Sequence, residues 1–289
     1  MSFTSYLAAL AVVFIWAYNG IMIKVGVQEI PPMLLTMLRF VVVAALIVPF
    51  TRFPRGHFKT LMLLAFTFGF VHFGLLFLAM NYTEVGITMV LIQLGTPFTI
   101  LLAVYFLNEH LTSKKIIGII ISFIGVICLM GSPNLPPLFA IMTLIISAFG
   151  WAITNIIIKQ RAADIEPLTL TGWLSLFAIP IVGLASLVTE HNQVAAIAQA
   201  SWAGWSSVLY SAIISSIIGY GIWYSLLKRY PINIVLPISL LSPVLGVILG
   251  TLLMHEALNS FKIIGTLLVI GGILFANIQR KRIILPPAK

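Results

Sequence analysis

The chain has 289 residues, 61% of them hydrophobic and only 8% charged, with a formal net charge of +9 and a mean hydropathy of +1.13. A soluble domain is about one quarter charged, so lipid is the solvent for most of this chain, and no hydrophilic stretch is long enough for a soluble domain. The basic residues lie in short loops between apolar segments, which excludes a nucleic-acid footprint, and the single cysteine, Cys128, excludes an intrachain disulfide framework.

Residues 1–5 carry no Lys or Arg, and the apolar run behind them continues to Val27. That is too long for the core of a secretory signal, so the sequence predicts a retained first helix. A helix needs about 20 mostly apolar residues to cross the hydrocarbon. Ten segments qualify: 6–27, 33–51, 60–80, 85–106, 114–131, 137–158, 168–188, 205–227, 232–254 and 261–279. Pro31-Pro32, Pro54-Arg-Gly56, Asn108-Glu-His, Gly131-Ser-Pro133-Asn, Glu166-Pro167 and Tyr230-Pro231 punctuate them. The expectation is one all-α membrane domain over residues 1–289.

Ten crossings put both termini on one side. With the termini inside, thirteen of the sixteen basic residues face inward: Arg52, Arg55, Lys59, Lys114, Lys115, Lys159, Arg161, Lys228, Arg229 and four in the tail from Arg280 to Lys289. Lys24 and Lys262 face outward, and Arg39 falls within a span. This bias predicts cytoplasmic termini.

The halves repeat. Trp16 and Pro32 match Trp151 and Pro167 at an offset of 135. Further on the offset settles near 147, pairing Pro97 with Pro243, Glu109 with Glu256, Lys115 with Lys262, Gly118 with Gly265 and Gly125 with Gly272. Leu107-Asn-Glu109-His-Leu111 reappears as Met254-His-Glu256-Ala-Leu258. Ordered matches of this kind indicate duplication, with repeat one at 1–133 and repeat two at 134–289. Five spans is an odd number, so the second copy enters the membrane from the opposite side. Inverted repeats are the architecture many secondary transporters use for alternating access to a midplane site.

Several of these residues carry a family resemblance: Trp16, Asn19 and Lys24; Pro31-Pro32 with Arg39; Gln93 before Pro97; the Glu109 and Glu256 loops; and Trp151 with Asn155. Over essentially the whole chain they resemble the EamA branch of the drug/metabolite transporter superfamily. The runs Ile218-Gly-Tyr220-Gly-Ile-Trp223, Leu227-Lys-Arg229-Tyr230, Pro237-Ile-Ser239 and Pro243-Val are similar to amino-acid exporters of that branch. The resemblance implies ten helices, termini inside, and export of small amino-acid-like metabolites of the O-acetylserine and cysteine type across a bacterial inner membrane. Relatives with other cargoes, such as aromatic amino acids, purines or drugs, keep those open. A passive channel is the rival from another class.

Mid-span polar and aromatic side chains are costly in lipid unless they face protein or a wet cavity. Trp16 and Trp151 are therefore expected as cavity walls, and Asn19 and Asn155 as hydrogen-bonding groups. Gln93 and Thr96 are expected beside a break at Pro97, a device repeated at Pro243 with Ser239 and Ser242 around it. Tyr220 and Trp223 complete the candidate substrate site. Arg39 is the nominee for a cargo carboxylate, with snorkelling to the outer interface or pairing with Glu84 as alternatives. His72 and Glu84 are the candidate proton carriers. The pattern Gly246-Val-Ile-Leu-Gly250 and the stretch from Gly118 to Ser122 read as helix packing, and Glu109 and Glu256 as loop structure. No metal constellation, nucleotide loop, ATPase motif or catalytic triad is present in the sequence. The expectation is a cofactor-free carrier, not an enzyme, whose partners are a small-molecule substrate, the lipid bilayer and, as coupling ion, protons, with no obligate protein partner.

Overall fold

The computed structural model describes residues 1–108, 110–132, 135–230, 235 and 238–277, apart from the side chains of 224, 227 and 228. Glu109, Pro237 and the basic tail from Arg280 therefore lie outside the described residues. Within them the chain is helical throughout, with no strand. The rods are α1 Phe3–Gly26, α2 Pro32–Phe50, α3 Phe58–Met80, α4 Val85–Phe106, α5 Ser113–Leu129, α6 Leu138–Arg161, α7 Pro167–Thr189, α8 202–229, α9 Leu241–Leu253 and α10 Ser260–Asn277. Eight of them are long and apolar enough to cross a membrane. The expected spans 114–131 and 232–254 fall on the shorter α5, of 17 residues, and α9, of 13. A two-turn helix, Gln193–Gln199, precedes α8 and has no counterpart in the sequence expectations.

Helix starts follow ordinary capping chemistry. Proline occupies the first turn of α2 and α7, where its missing N–H costs nothing. Ser2, Thr112, Glu166 and Ser201 accept first-turn amides at α1, α5, α7 and α8. The helix α2 has no cap of its own. Glu190, at the far end of α7, accepts from the Met33 and Leu34 amides at 2.7 and 3.0 Å instead, so the two helices run antiparallel.

Two helix pairs pack reciprocally. Between α5 and α10, a methyl on Gly125 would lie 2.8 Å from the Gly265 carbonyl, and one on Gly265 would lie 2.8 Å from the Gly125 carbonyl. Gly118 and Gly272 face each other in the same way. Because Gly265 and Gly272 are the counterparts of Gly118 and Gly125, each helix touches the other through the same two positions. Ser122 donates to the carbonyl of its own counterpart, Val269, at 3.3 Å. Between α2 and α7, Gly172 abuts Ile47 and Val48, and Gly183 abuts Met37 at 3.0 Å. At the offset of 135, Gly172 and Gly183 are the counterparts of Met37 and Val48. Such reciprocity is what a two-fold relation between like elements produces.

The α3 and α8 rods share a further feature. Each contains ten residues of π-helix, Ala65–Gly74 and Tyr210–Gly219. These stretches fall at matching places in the two halves, and both end on glycine. In α8 the wide turn is marked by Ser216 Oγ donating to the Ser211 carbonyl, five residues back, at 2.7 Å. Long π-helical segments are rare and tend to mark functional positions.

Candidate functional site

The two tryptophans pack against these π-helical stretches, each on the one from the opposite half. Trp16 of α1 lies against Tyr220 and Trp223 of α8, with ring centroids 5.5 and 5.2 Å apart. A methyl on Gly219 would sit 2.9 Å from its Nε1, so the closing glycine gives the indole its seat. Nε1 points to the Ser215 carbonyl at 3.4 Å. Trp151 of α6 lies against His72 and Phe68 of α3, at 5.1 and 5.8 Å, and over Gly95 of α4, where a methyl would come within 2.7 Å of it.

One turn along α1, Asn19 Oδ1 accepts from Ser211 Oγ at 2.8 Å. The matching bond in the other half is made by Thr154, whose hydroxyl meets Thr67 of α3 at 3.0 Å. Thr154 stands at the offset of 135 from Asn19, so it, and not Asn155, is the spatial counterpart. Asn155 faces α4 and reaches Thr99 Oγ1 at 3.5 Å.

Arg39 lies between the two π-helical stretches and is 2% exposed. Its Nε and Nη2 both donate to Ser216 Oγ, at 3.2 and 2.9 Å. Its guanidinium carbon stands 3.8 Å from the centre of the Phe73 ring, a cation–π contact. Nη1 is buried without a partner. Tyr220 and His72 lie within electrostatic reach of the guanidinium. The alternatives of snorkelling to the interface or pairing with Glu84 are thereby excluded: the side chain is dehydrated, and Glu84 is bound to Lys262 at 2.6 Å.

His72 Nδ1 sits 3.1 Å from the Ser147 carbonyl, and Ser147 Oγ donates to the His72 carbonyl at 2.8 Å. The ring thus joins α3 to α6. Gln93 lies half-buried in a 3-10 turn, Ile92–Leu94, that interrupts α4 ahead of Pro97. The proline ring opposes the carbonyl four residues back, which is that of Gln93. Thr96 and Pro97 themselves line a seam with Gly118, Ser122 and Ala276 of α5 and α10, and no aromatic side chain lines it. The helix α9 begins at Leu241, two residues before Pro243.

A second polar group gathers at the end of the bundle where α3 gives way to α4. Lys262, fully buried, bonds Glu84 at 2.6 Å and Glu256 at 3.3 Å. Glu256 accepts the Val85 and Gly86 amides, capping α4 from the α9–α10 loop. A methyl at Gly250 would lie 2.5 Å from its carboxylate, so glycine makes room for it. Lys24 donates to the Met80 and Thr83 carbonyls at 2.9 and 2.8 Å. A cleft of about 600 Å³ opens here, lined among others by Lys24, Tyr82, Glu84 and Glu256. Nearby, Ser201 hydrogen bonds hold the Glu29 carboxyl below its ordinary range. At the start of α1 the Ser5 and Ser2 contacts bring the Tyr230 phenol down to about 8.

The family model of the EamA-like transporter family matches residues 3–131 and 138–278. The chain belongs to the EamA-like transporter family. It is 32% identical over 280 residues to a probable amino-acid metabolite efflux pump of Escherichia coli, covering 93% of both chains. A protein of the same description from Salmonella typhimurium is 32% identical over 279 residues, again with 93% of both covered. A crystal structure shares the fold at a TM-score of 0.63 and 17% identity, covering 96% of this chain and 97% of that one.

This EamA chain is thus a multi-pass membrane transporter. Sequence reasoning missed Ser211, Ser216, Thr67, Ser147 and Thr154. A mid-helix serine or threonine ordinarily bonds its own turn, as Thr154 also does at the Gly150 carbonyl, so nothing in the sequence marked these as partners of Asn19, Arg39 and His72. Thr154 alone was recoverable, from the offset of 135.

Proposed function

We propose that this protein is a secondary carrier that exports small amino-acid-like metabolites, of the O-acetylserine and cysteine type, across a bacterial inner membrane by alternating access. The chain crosses the membrane ten times with both termini in the cytoplasm. Repeats 1–133 and 134–289 rock about a site walled by Trp16, Asn19, Gln93, Trp151, Asn155, Tyr220 and Trp223, with Arg39 beside it. Protons are the coupling ion, with His72 and Glu84 the residues to test. The observation that carries this reading is the placement of each tryptophan on the π-helical stretch of the opposite half. A site assembled from both halves changes shape whenever the halves move, which is what a carrier needs and a fixed pore does not. The efflux-pump relatives in two enteric bacteria support the amino-acid cargo.

The test is uptake of labelled O-acetylserine and cysteine into inside-out vesicles, with and without an imposed proton gradient. Saturable uptake, faster when unlabelled cargo is loaded on the far side, is expected. The Trp16→Ala and Gln93→Ala variants are expected to insert normally but lose it. Linear flux without trans-stimulation would mean a pore. Saturable uptake indifferent to the gradient would remove the proton, and no uptake of either compound would overturn the cargo class.

A further inference from the structure

Among the described residues, Arg39 is a buried cation without a counter-ion. The sequence has seven acidic residues, and six of them are described. All six are engaged elsewhere. Glu29 holds the start of α8 at Ser201, Glu190 caps α2 and Glu166 caps α7 at Thr169. Asp164 pairs with His57 at 3.3 Å, and Glu84 and Glu256 share Lys262. What meets Arg39 is one neutral hydroxyl and the face of the Phe73 ring, and neither carries a negative charge. Ser216 takes two of its N–H groups, while Ser216's own proton goes back to the Ser211 carbonyl through the wide π turn. The hydroxyl therefore fixes the guanidinium plane without cancelling its charge, and Nη1 remains dehydrated and unpaired. A charge in such a place is costly unless something pairs with it. The planar fork of arginine is matched best by a carboxylate.

We propose that Arg39 and Ser216 form the carrier's receptor for a single anionic carboxylate on the cargo. Arg39 supplies the Nη1 donors and Ser216 acts as the positioning residue. The inference rests on the carrier reading and narrows it. The cargo must bring the negative charge that the protein withholds, so a free carboxylate is recognised and its ester or amide is refused. Selection happens because every described carboxylate is engaged away from Arg39. The carboxylate introduced by Ser216→Asp would occupy the site from within.

The test compares O-acetylserine with its carboxyl methyl ester as competitors of labelled O-acetylserine uptake. In the wild type the ester is expected to compete about tenfold more weakly or worse, the worth of one charge-assisted hydrogen bond. Arg39→Gln is expected to erase the difference. Ser216→Ala is expected to raise KM more than it lowers kcat, and Ser216→Thr, which keeps the hydroxyl, to restore it. Equal competition by acid and ester in the wild type, with uptake still saturable, would sink the proposal and leave the carrier reading standing. A second measurement does not depend on transport. In purified protein Ser216→Asp is expected to melt above its neutral isostere Ser216→Asn, because it supplies the missing counter-ion. Melting in the opposite order would overturn the receptor even if no cargo were moved.

Discussion

At Gly219, one hydrogen atom decides where an indole rests. The Trp16 ring sits so close that a single methyl on that glycine would come 2.9 Å from Nε1. Gly219→Ala must therefore push the ring toward Tyr220 and Trp223 or tilt α1 away. Because the cost falls on the wall of the proposed site and not on a deep core, insertion is expected to survive. We expect cargo KM to rise several-fold, read from uptake kinetics beside immunodetection of the inserted protein. At Asn19 the change is of another kind. Asn19→Ala leaves the buried Ser211 hydroxyl without its acceptor, which costs about 1–3 kcal/mol and should lower the melting temperature measurably. Trp16, Trp151, Asn19 and Arg39 were legible in the sequence because a tryptophan, an amide or a charge is conspicuous in an apolar run. Ser211 and Ser216 were not, because a mid-span serine is cheap and common, and only the fold shows which one an arginine reaches.

Elements show the same division. Pro97 announced a break in α4, and the structure has a 3-10 turn at Ile92–Leu94 just before it. Replacing Pro97 with Ala returns the missing amide and lets α4 run straight. If the break is a hinge, the variant should melt at or above the wild-type temperature and turn over more slowly, with cargo affinity little changed. A turnover equal to the wild type would reduce the break to packing. The π-helical stretches in α3 and α8 left no trace in the sequence, since a mostly apolar run with a few scattered small polar residues carries no periodicity that separates one helical pitch from another. The glycines of α5 and α10 were visible as a packing pattern, but their reciprocity was not. A leucine at Gly125 would drive its side chain into the Gly265 carbonyl and the Val269 amide. The expected cost is about 1–3 kcal/mol or more, the range for overpacking, seen as a lowered melting temperature and reduced yield of folded protein.

Across the whole molecule, the cluster that the proposed topology puts on the outer side is one of the places where the second half grips the first. Glu256, in the α9–α10 loop, caps α4 at Val85 and Gly86, and Lys262 draws in Glu84. This contact must part if the outer ends of α4 and α9 are to separate. Under the proposed inverted topology the repeat supplies a counterpart for the other face, because Glu109 and Lys115 stand 147 residues before Glu256 and Lys262. If the two sets alternate, Glu256→Gln weakens only the outer one. It halves the charge facing Lys262 and turns one acceptor of two backbone amides into a donor. The expected result is a shift toward the outward-open form. A cysteine at Tyr82, in the outer cleft, should then react faster with a membrane-impermeant maleimide in a Cys128→Ser background. Glu109→Gln should slow the same reaction. Unchanged labelling in Glu256→Gln, with the protein folded, would make the cluster a static brace. Opposite shifts from the two variants would establish a pair of matched closures, one for each side of the membrane.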